Sequence, residues 1–215
     1  MPKETFRHLP AGKRDRFVAA ALDEFALHDY RAASLSRIVA AAGIAKGSVY
    51  QYFDDKLALY RHLVDQAGRT KFGFIDASLP NDAAGFFEQV RHVVFHGARF
   101  DFTHPREGSL LYLATYEPSV PEVSAELRAA SYHYVRGLVA AGVRQGDLRA
   151  DLDVEFAVFA VYQLSVSLRD FLTERFGFSF KEAVRRGSGS PVPDDELWAV
   201  LDELVGLFRR GMGAP

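Results

Sequence analysis

One short, glycine-interrupted stretch, AAGIAKGSVYQYFDDK at residues 41–56, concentrates side chains able to make directed hydrogen bonds. Lys46, Gly47, Ser48, Tyr50, Gln51 and Tyr52 alternate there with the apolar Ile44, Val49 and Phe53. At helical spacing the apolar residues supply a packing face and leave the polar set for the other. Lysine and glutamine hydrogen-bond base edges, and serine and tyrosine hydroxyls reach base or phosphate, so recognition of nucleic acid is the chemistry open to this face. Gly47 costs a helix about 1 kcal/mol relative to alanine, and close approach of the backbone to another molecule accounts for its presence. Lys56 falls in the first turn of the following helix, where the helix dipole disfavours a cation. A phosphate partner is the economical explanation.

A second set carries titratable chemistry. Glu88, His92 and His96 lie at i, i+4 and i+8, drifting about 40° per step along one helix face. The outer two are about 12 Å apart along the axis, too far for all three to meet on one ion, although two of them with a residue from elsewhere could do so. Three readings of this face stand side by side: metal ligands, polar groups for a bound small molecule, or ordinary core and surface histidines. No nucleophile–base arrangement, phosphate loop or compact metal motif accompanies it, so no enzymatic reaction, metal or cofactor is expected.

The elements that must position these residues are helices. Apolar residues recur at helical spacing almost throughout, as in Phe17, Ala21 and Phe25, and sustained strand-type alternation is absent. The reading is all-α: about nine helices, in an N-terminal three-helix domain over residues 1–56 and a C-terminal bundle over 57–215. The predicted helices cover about 13–28, 35–43, 46–53, 56–78, 82–102, 105–117, 121–145, 153–176 and 196–210. Ser34 caps the second, Asp54 or Asp55 caps the fourth, and Leu79-Pro80-Asn81 breaks it. The stretch RRGSGSPVPDD, residues 185–195, reads as a loop between two packed helices.

With 215 residues the chain can bury a sizeable core, and with no cysteine it has no disulfide framework or thiolate chemistry, which suits the cytoplasm. It shows neither a secretory leader nor an apolar run long enough to span a membrane. The formal charge of -2 is unevenly spread, because residues 1–56 hold nine Lys/Arg against seven Asp/Glu and the remainder is acidic. If one part meets phosphate, it is the N-terminal one.

A helix, a turn at Gly43-Ile44-Ala45 and a short second helix is the layout of a helix-turn-helix, whose second helix lies in the major groove. The segment ASLSRIVAAAGIAKGSVYQYFDDKLALY, residues 33–60, closely resembles the DNA-binding segment of TetR-type transcriptional repressors, the likeness extending over about residues 12–63. The resemblance implies that Ser34 is an N-cap touching phosphate and that Ser36 and Arg37 open the support helix. It makes Lys46, Gly47 and Ser48 the base-facing turn, turns Tyr50 and Gln51 to bases or backbone, and gives Tyr52 and Lys56 to phosphate. Two departures stand out: Ala45 replaces a common Ser or Thr cap, and Arg37 sits where a capping box would place Glu or Gln, so Ser34 is expected to cap alone.

Beyond residue 63 only the family's architecture carries over, implying a bundle that pairs subunits through its last two long helices and holds an effector. The pairing candidates are Phe156, Phe159, Ala160, Gln163, Leu164 and Ser167 on one helix, and Trp198, Leu201, Val205 and Phe208 on the other. Eighteen Phe and nine Tyr, many between residues 72 and 134, could line an effector cavity or simply fill the core. Candidate ligand contacts are His92, Phe95, His96, Tyr112, Tyr116, Tyr132, His133 and Arg136. The resulting expectation is a homodimeric repressor that binds a palindromic double-stranded DNA operator and is released by a small, largely apolar or aromatic effector. The competing expectation is an architectural, nucleoid-associated DNA-binding protein on the same fold.

Overall fold

The computed structural model describes residues 2–45, 47–78, 85–187 and 192–214. Helical periodicity becomes eleven helices: α1 Glu4–Arg7, α2 Ala11–Leu27, α3 Leu35–Ala42, α4 Ser48–Tyr52, α5 Lys56–Asp76, α6 Phe86–Thr103, α7 Pro105–Thr115, α8 Pro121–Gln145, α9 Val154–Phe176, α10 Phe180–Arg186 and α11 Asp194–Met212. No strand occurs among the described residues, which contain one isolated antiparallel bridge between Leu148 and Gly213. The short α1 and α10 are additional to the helices expected from periodicity, which needs more than two turns to register. The predicted break at Leu79-Pro80-Asn81 lies outside the described residues, as does the middle of the 185–195 stretch.

Local chemistry sets several helix ends. Ser34 Oγ accepts the Arg37 N–H at 3.4 Å, and Gly43 ends α3 with φ 65°, a left-handed conformation that favours glycine. Asp55, not Asp54, caps α5, its Oδ1 accepting the Ala58 N–H at 2.7 Å. Asp153 does the same for α9, accepting the Phe156 N–H at 3.1 Å.

The contacts divide the chain into two compact units. The first comprises the described residues of Met1–Lys71, His104–Ala125 and Phe180–Gly189. In it α2 packs on α3, α7 and α10, with Phe17, Phe25, Ile38, Val49, Phe53, Leu59 and Leu63 buried. Each buried ring or branched chain contributes about 1.5–3 kcal/mol, so a short helix such as α4 is held by packing rather than by its own propensity. Arg106 on α7 pairs with Asp23 on α2, and the buried Glu117 accepts the backbone N–H groups of Tyr30 at 2.8 Å and Ser119 at 2.9 Å.

The second unit comprises the described residues of Phe72–Thr103, Glu126–Ser179 and Ser190–Pro215. Its core holds Phe86, Val90, Phe100 and Phe102 of α6, Val139 of α8, Ala157 and Val158 of α9, and Leu197 and Leu201 of α11. Asp147 Oδ2 accepts the Phe86 N–H at 2.7 Å, fixing the start of α6 to the turn after α8.

Candidate nucleic-acid interface

The elements that carry the polar stretch are α3, the Gly43 turn and α4. Val49 and Phe53 are fully buried and Ile44 is half-buried, which anchors the inner side of the motif on α2. On the outer side Gly47 and Gln51 are exposed, Ser48 is half-buried and the Tyr50 ring is 55% exposed. Lys46 lies outside the described residues. Gly47 has φ -72° and ψ -14°, and a Cβ built on it would meet no atom within 4 Å. Neither backbone conformation nor packing inside the chain requires glycine there.

Three of the residues assigned to DNA from the sequence have partners within the chain. Tyr52 does not share the outer face: it is 4% exposed, with its ring 5.7 Å from Phe17 and 6.1 Å from Phe6. Its ring is spent on the core. Lys56 has its own acceptors, since its Nζ donates to the carbonyls of Tyr30 at 2.6 Å and Ala33 at 3.0 Å and lies 4.4 Å from the centre of the Tyr30 ring. These groups offset the unfavourable helix position without an external anion. Arg37, although half-exposed, is forked onto Glu24: Nε lies 2.9 and 3.0 Å from the two carboxylate oxygens, and Nη2 binds Oε1 and the Ala32 carbonyl.

Ser34 does not cap alone either. Its backbone N–H donates to Glu24 Oε1 at 2.7 Å, the service a capping-box acid performs from three residues along. Glu24 performs it from α2. Burial would raise the Glu24 pKa, but the hydrogen bonds from Arg37 and Ser34 outweigh burial and hold it below its ordinary value. Ser36 is exposed on the first turn of α3.

The far end of α4 is held by residues the sequence did not single out. Lys3 Nζ donates to the Tyr50 carbonyl at 2.9 Å, the Thr5 hydroxyl to that of Gln51, and the Lys3 N–H to that of Tyr52 at 2.8 Å. Phe6 is buried beside Phe53, with ring centres 4.9 Å apart. The signal in the sequence was Phe6, the one aromatic residue before Phe17 in a start rich in charged residues.

Known proteins share this scaffold. The family described as bacterial regulatory proteins, tetR family, matches residues 17–63. A solved TetR-family transcriptional regulator from Chloroflexus aurantiacus J-10-fl is 35% identical, with 100% of both chains covered and a TM-score of 0.85. The chain belongs to the TetR family. An HTH-type transcriptional repressor, KstR2, of Rhodococcus jostii (strain RHA1) is 29% identical over 164 residues, 68% of this chain and 73% of the relative. The TetR-family regulator CifR, solved as a cysteine mutant with 26-bp double-strand operator DNA, is 25% identical with a TM-score of 0.62, covering 90% of this chain and 95% of that one.

The protein is therefore a TetR-family transcriptional regulator, and the family is one of regulators rather than enzymes. No helix among the described residues is long and apolar enough to cross a membrane.

The remaining TetR-type assignments distribute as follows. His92, Phe95 and His96 come together in the second unit, where His92 Nε2 lies 3.0 Å from Glu88 Oε1, the two histidine rings are 5.8 Å apart, and Phe95 stacks on Trp198 at 3.6 Å. His92 Nδ1 is buried with no hydrogen-bond partner among the described residues. Burial, aided by His92, lowers the His96 pKa, against an opposing pull from Asp194. Tyr132 packs on Tyr162 at 4.3 Å, whereas His133 is exposed and Arg136 is exposed and paired with Glu155. Tyr112 and Tyr116 belong to the first unit. Among the described residues no group of three or more His, Asp or Glu is placed to hold a metal ion.

On α9 the pairing candidates form an outward stripe: Phe156 is 66% exposed, Phe159, Leu164 and Ser167 are exposed, and Ala160 and Gln163 are half-buried. Phe171 extends the stripe by one turn. On α11 the register is corrected. Leu201, Val205 and Phe208 are buried within the chain and Trp198 stacks on Phe95, so this stripe packs inward, α11 lying against α6. The outward stripe of α11 is Val200, Leu204, Leu207 and Gly211.

Proposed function

We propose that the protein is a repressor that binds a palindromic double-stranded DNA operator as a homodimer and is released by a small, largely apolar or aromatic effector. The observation that carries the reading is the outer face of α4. Gly47 stands open where nothing in the fold requires glycine, beside an exposed Tyr50 and Gln51, on a helix whose inner side is fully buried. Gly47 admits the DNA backbone, Ser48, Tyr50 and Gln51 contact bases or phosphates, and Ser34 and Ser36 meet phosphate at the start of α3. CifR, a family relative complexed with operator DNA, supports this partner.

The DNA-binding role is assigned to residues 1–56 and the effector and pairing roles to 57–215. Exposed phenylalanine and leucine along α9 support pairing, because contiguous apolar stripes of this kind mark interfaces. A two-fold pair presents two α4 helices to half-sites about one DNA turn, or a small multiple, apart. For the effector, His92 Nδ1, without a hydrogen-bond partner among the described residues and beside Phe95, His96 and Trp198, supplies a polar anchor among aromatic rings. By linkage, an effector that weakens operator binding binds less tightly to the DNA complex.

The test is enrichment of duplexes from a random-sequence pool by the full chain, followed by footprinting on the enriched sequence. An inverted repeat protected on two successive major-groove faces is expected. Binding without sequence preference would overturn the operator reading in favour of an architectural role.

A further inference from the structure

α4 has five residues, too few to hold its own geometry in water, so whatever grips its ends sets the direction in which Tyr50 and Gln51 point. A helix leaves its last carbonyls without intrahelical partners. Here those of Tyr50, Gln51 and Tyr52 all receive donors from two residues of the N-terminal segment: Lys3 Nζ at 2.9 Å, the Thr5 hydroxyl, and the Lys3 N–H at 2.8 Å. Phe6 pins that segment, its ring meeting Phe17, Tyr52, Phe53 and His62. Lys3 is also paired with Asp54 at 2.9 Å, on the chain leaving α4.

We propose that Lys3 and Thr5 are positioning residues for DNA reading, a strap that fixes the tilt of α4 by binding the backbone of the residues that face outward. This inference rests on the proposal that α4 is the recognition helix. The Lys3 ammonium is occupied by the Asp54 carboxylate and the Tyr50 carbonyl, so its contribution to DNA binding runs through geometry and not through neutralising a phosphate. The Asp54 carboxyl is correspondingly held below its ordinary pKa by its hydrogen bond with Lys3 and that residue's charge. Phe6 supplies the footing, and the two polar residues supply the alignment.

The experiment titrates the full chain and its Lys3→Met, Thr5→Val, Lys3→Met/Thr5→Val and Lys3→Arg variants against the duplex enriched by the wild type, at several salt concentrations. Tyr50→Ala is the reference. Lys3 and Thr5 bond at the surface, so these variants fold, which a thermal melt verifies. The double variant is expected to bind about tenfold more weakly, each lost bond having a modest net effect, with an unchanged slope of log K against log salt. Lys3→Arg should retain most of the affinity. A double variant that binds as the wild type does, while Tyr50→Ala has lost the duplex, would overturn the strap and leave the recognition helix standing. A salt slope smaller by about one in Lys3→Met would also overturn it, by showing Lys3 on a phosphate. If Tyr50→Ala binds like the wild type, the recognition reading fails and the strap fails with it.

Discussion

Glu24 on α2 accepts the backbone N–H of Ser34 at 2.7 Å, so a carboxylate ten residues upstream completes the start of α3. The same carboxylate holds the Arg37 guanidinium in a forked contact. A buried acid thereby joins α2 to the N-terminus of α3, the first helix of the helix-turn-helix, and its protonation should loosen both.

The pH dependence follows from the lowered pKa of Glu24 in the folded chain. A carboxyl depressed on folding contributes stability that is fully present above its unfolded value, about 4.3, and is lost as pH falls through the folded value. Acid unfolding of the wild type should steepen below about pH 4.3, and Glu24→Gln should be less stable at neutral pH with a flatter acid limb. Thermal melts across pH 3–7 check this; identical acid limbs would contradict it.

Lys56 is expected to act on stability. Lys56→Met removes a charged donor from the Tyr30 and Ala33 carbonyls and should cost about 1.5–3 kcal/mol in urea unfolding. Its salt slope of DNA binding should match the wild type, because no phosphate contact is lost.

Glu117 should be among the costlier polar positions. Glu117→Ala leaves the Tyr30 and Ser119 N–H groups without their acceptor, and each such loss costs about 1–3 kcal/mol. Chemical denaturation measures the sum, and faster hydrogen exchange at the Tyr30 amide locates it.

The parts of the fold legible in the sequence were those decided within a few residues. Ser34, Gly43 and Asp153 announce helix ends through local bonds and a left-handed turn. The face of Tyr52 was legible but misread: at 100° per residue it lies about 60° from Val49, whereas Gln51 lies about 160° away. On α11, two apolar stripes compete. The bulkier one, with Leu201, Val205 and Phe208, goes to the chain's own core and leaves Leu207 outward. The acceptors of Lys56 are loop carbonyls more than twenty residues upstream, and the strap joins Lys3 to Tyr50 across a separation of 47. No local pattern encodes such pairings.

Pairing through α9 should be separable from folding. Phe159→Asp with Leu164→Asp alters exposed side chains, so the subunit should keep its helix content while sedimentation shifts to the monomer. Affinity for an inverted-repeat duplex should fall by much more than affinity for a single half-site.

The central claim is that the outer face of α4 reads DNA, and Gly47→Ala tests it most directly. A methyl group there meets no atom within 4 Å among the described residues beyond its chain neighbours and fits the backbone conformation, so melting should stay within about 1 kcal/mol of wild type. Operator affinity, measured on the enriched duplex, should fall at least about tenfold as the added methyl holds the DNA away. An alanine variant that melts normally and binds as tightly as the wild type would contradict the account.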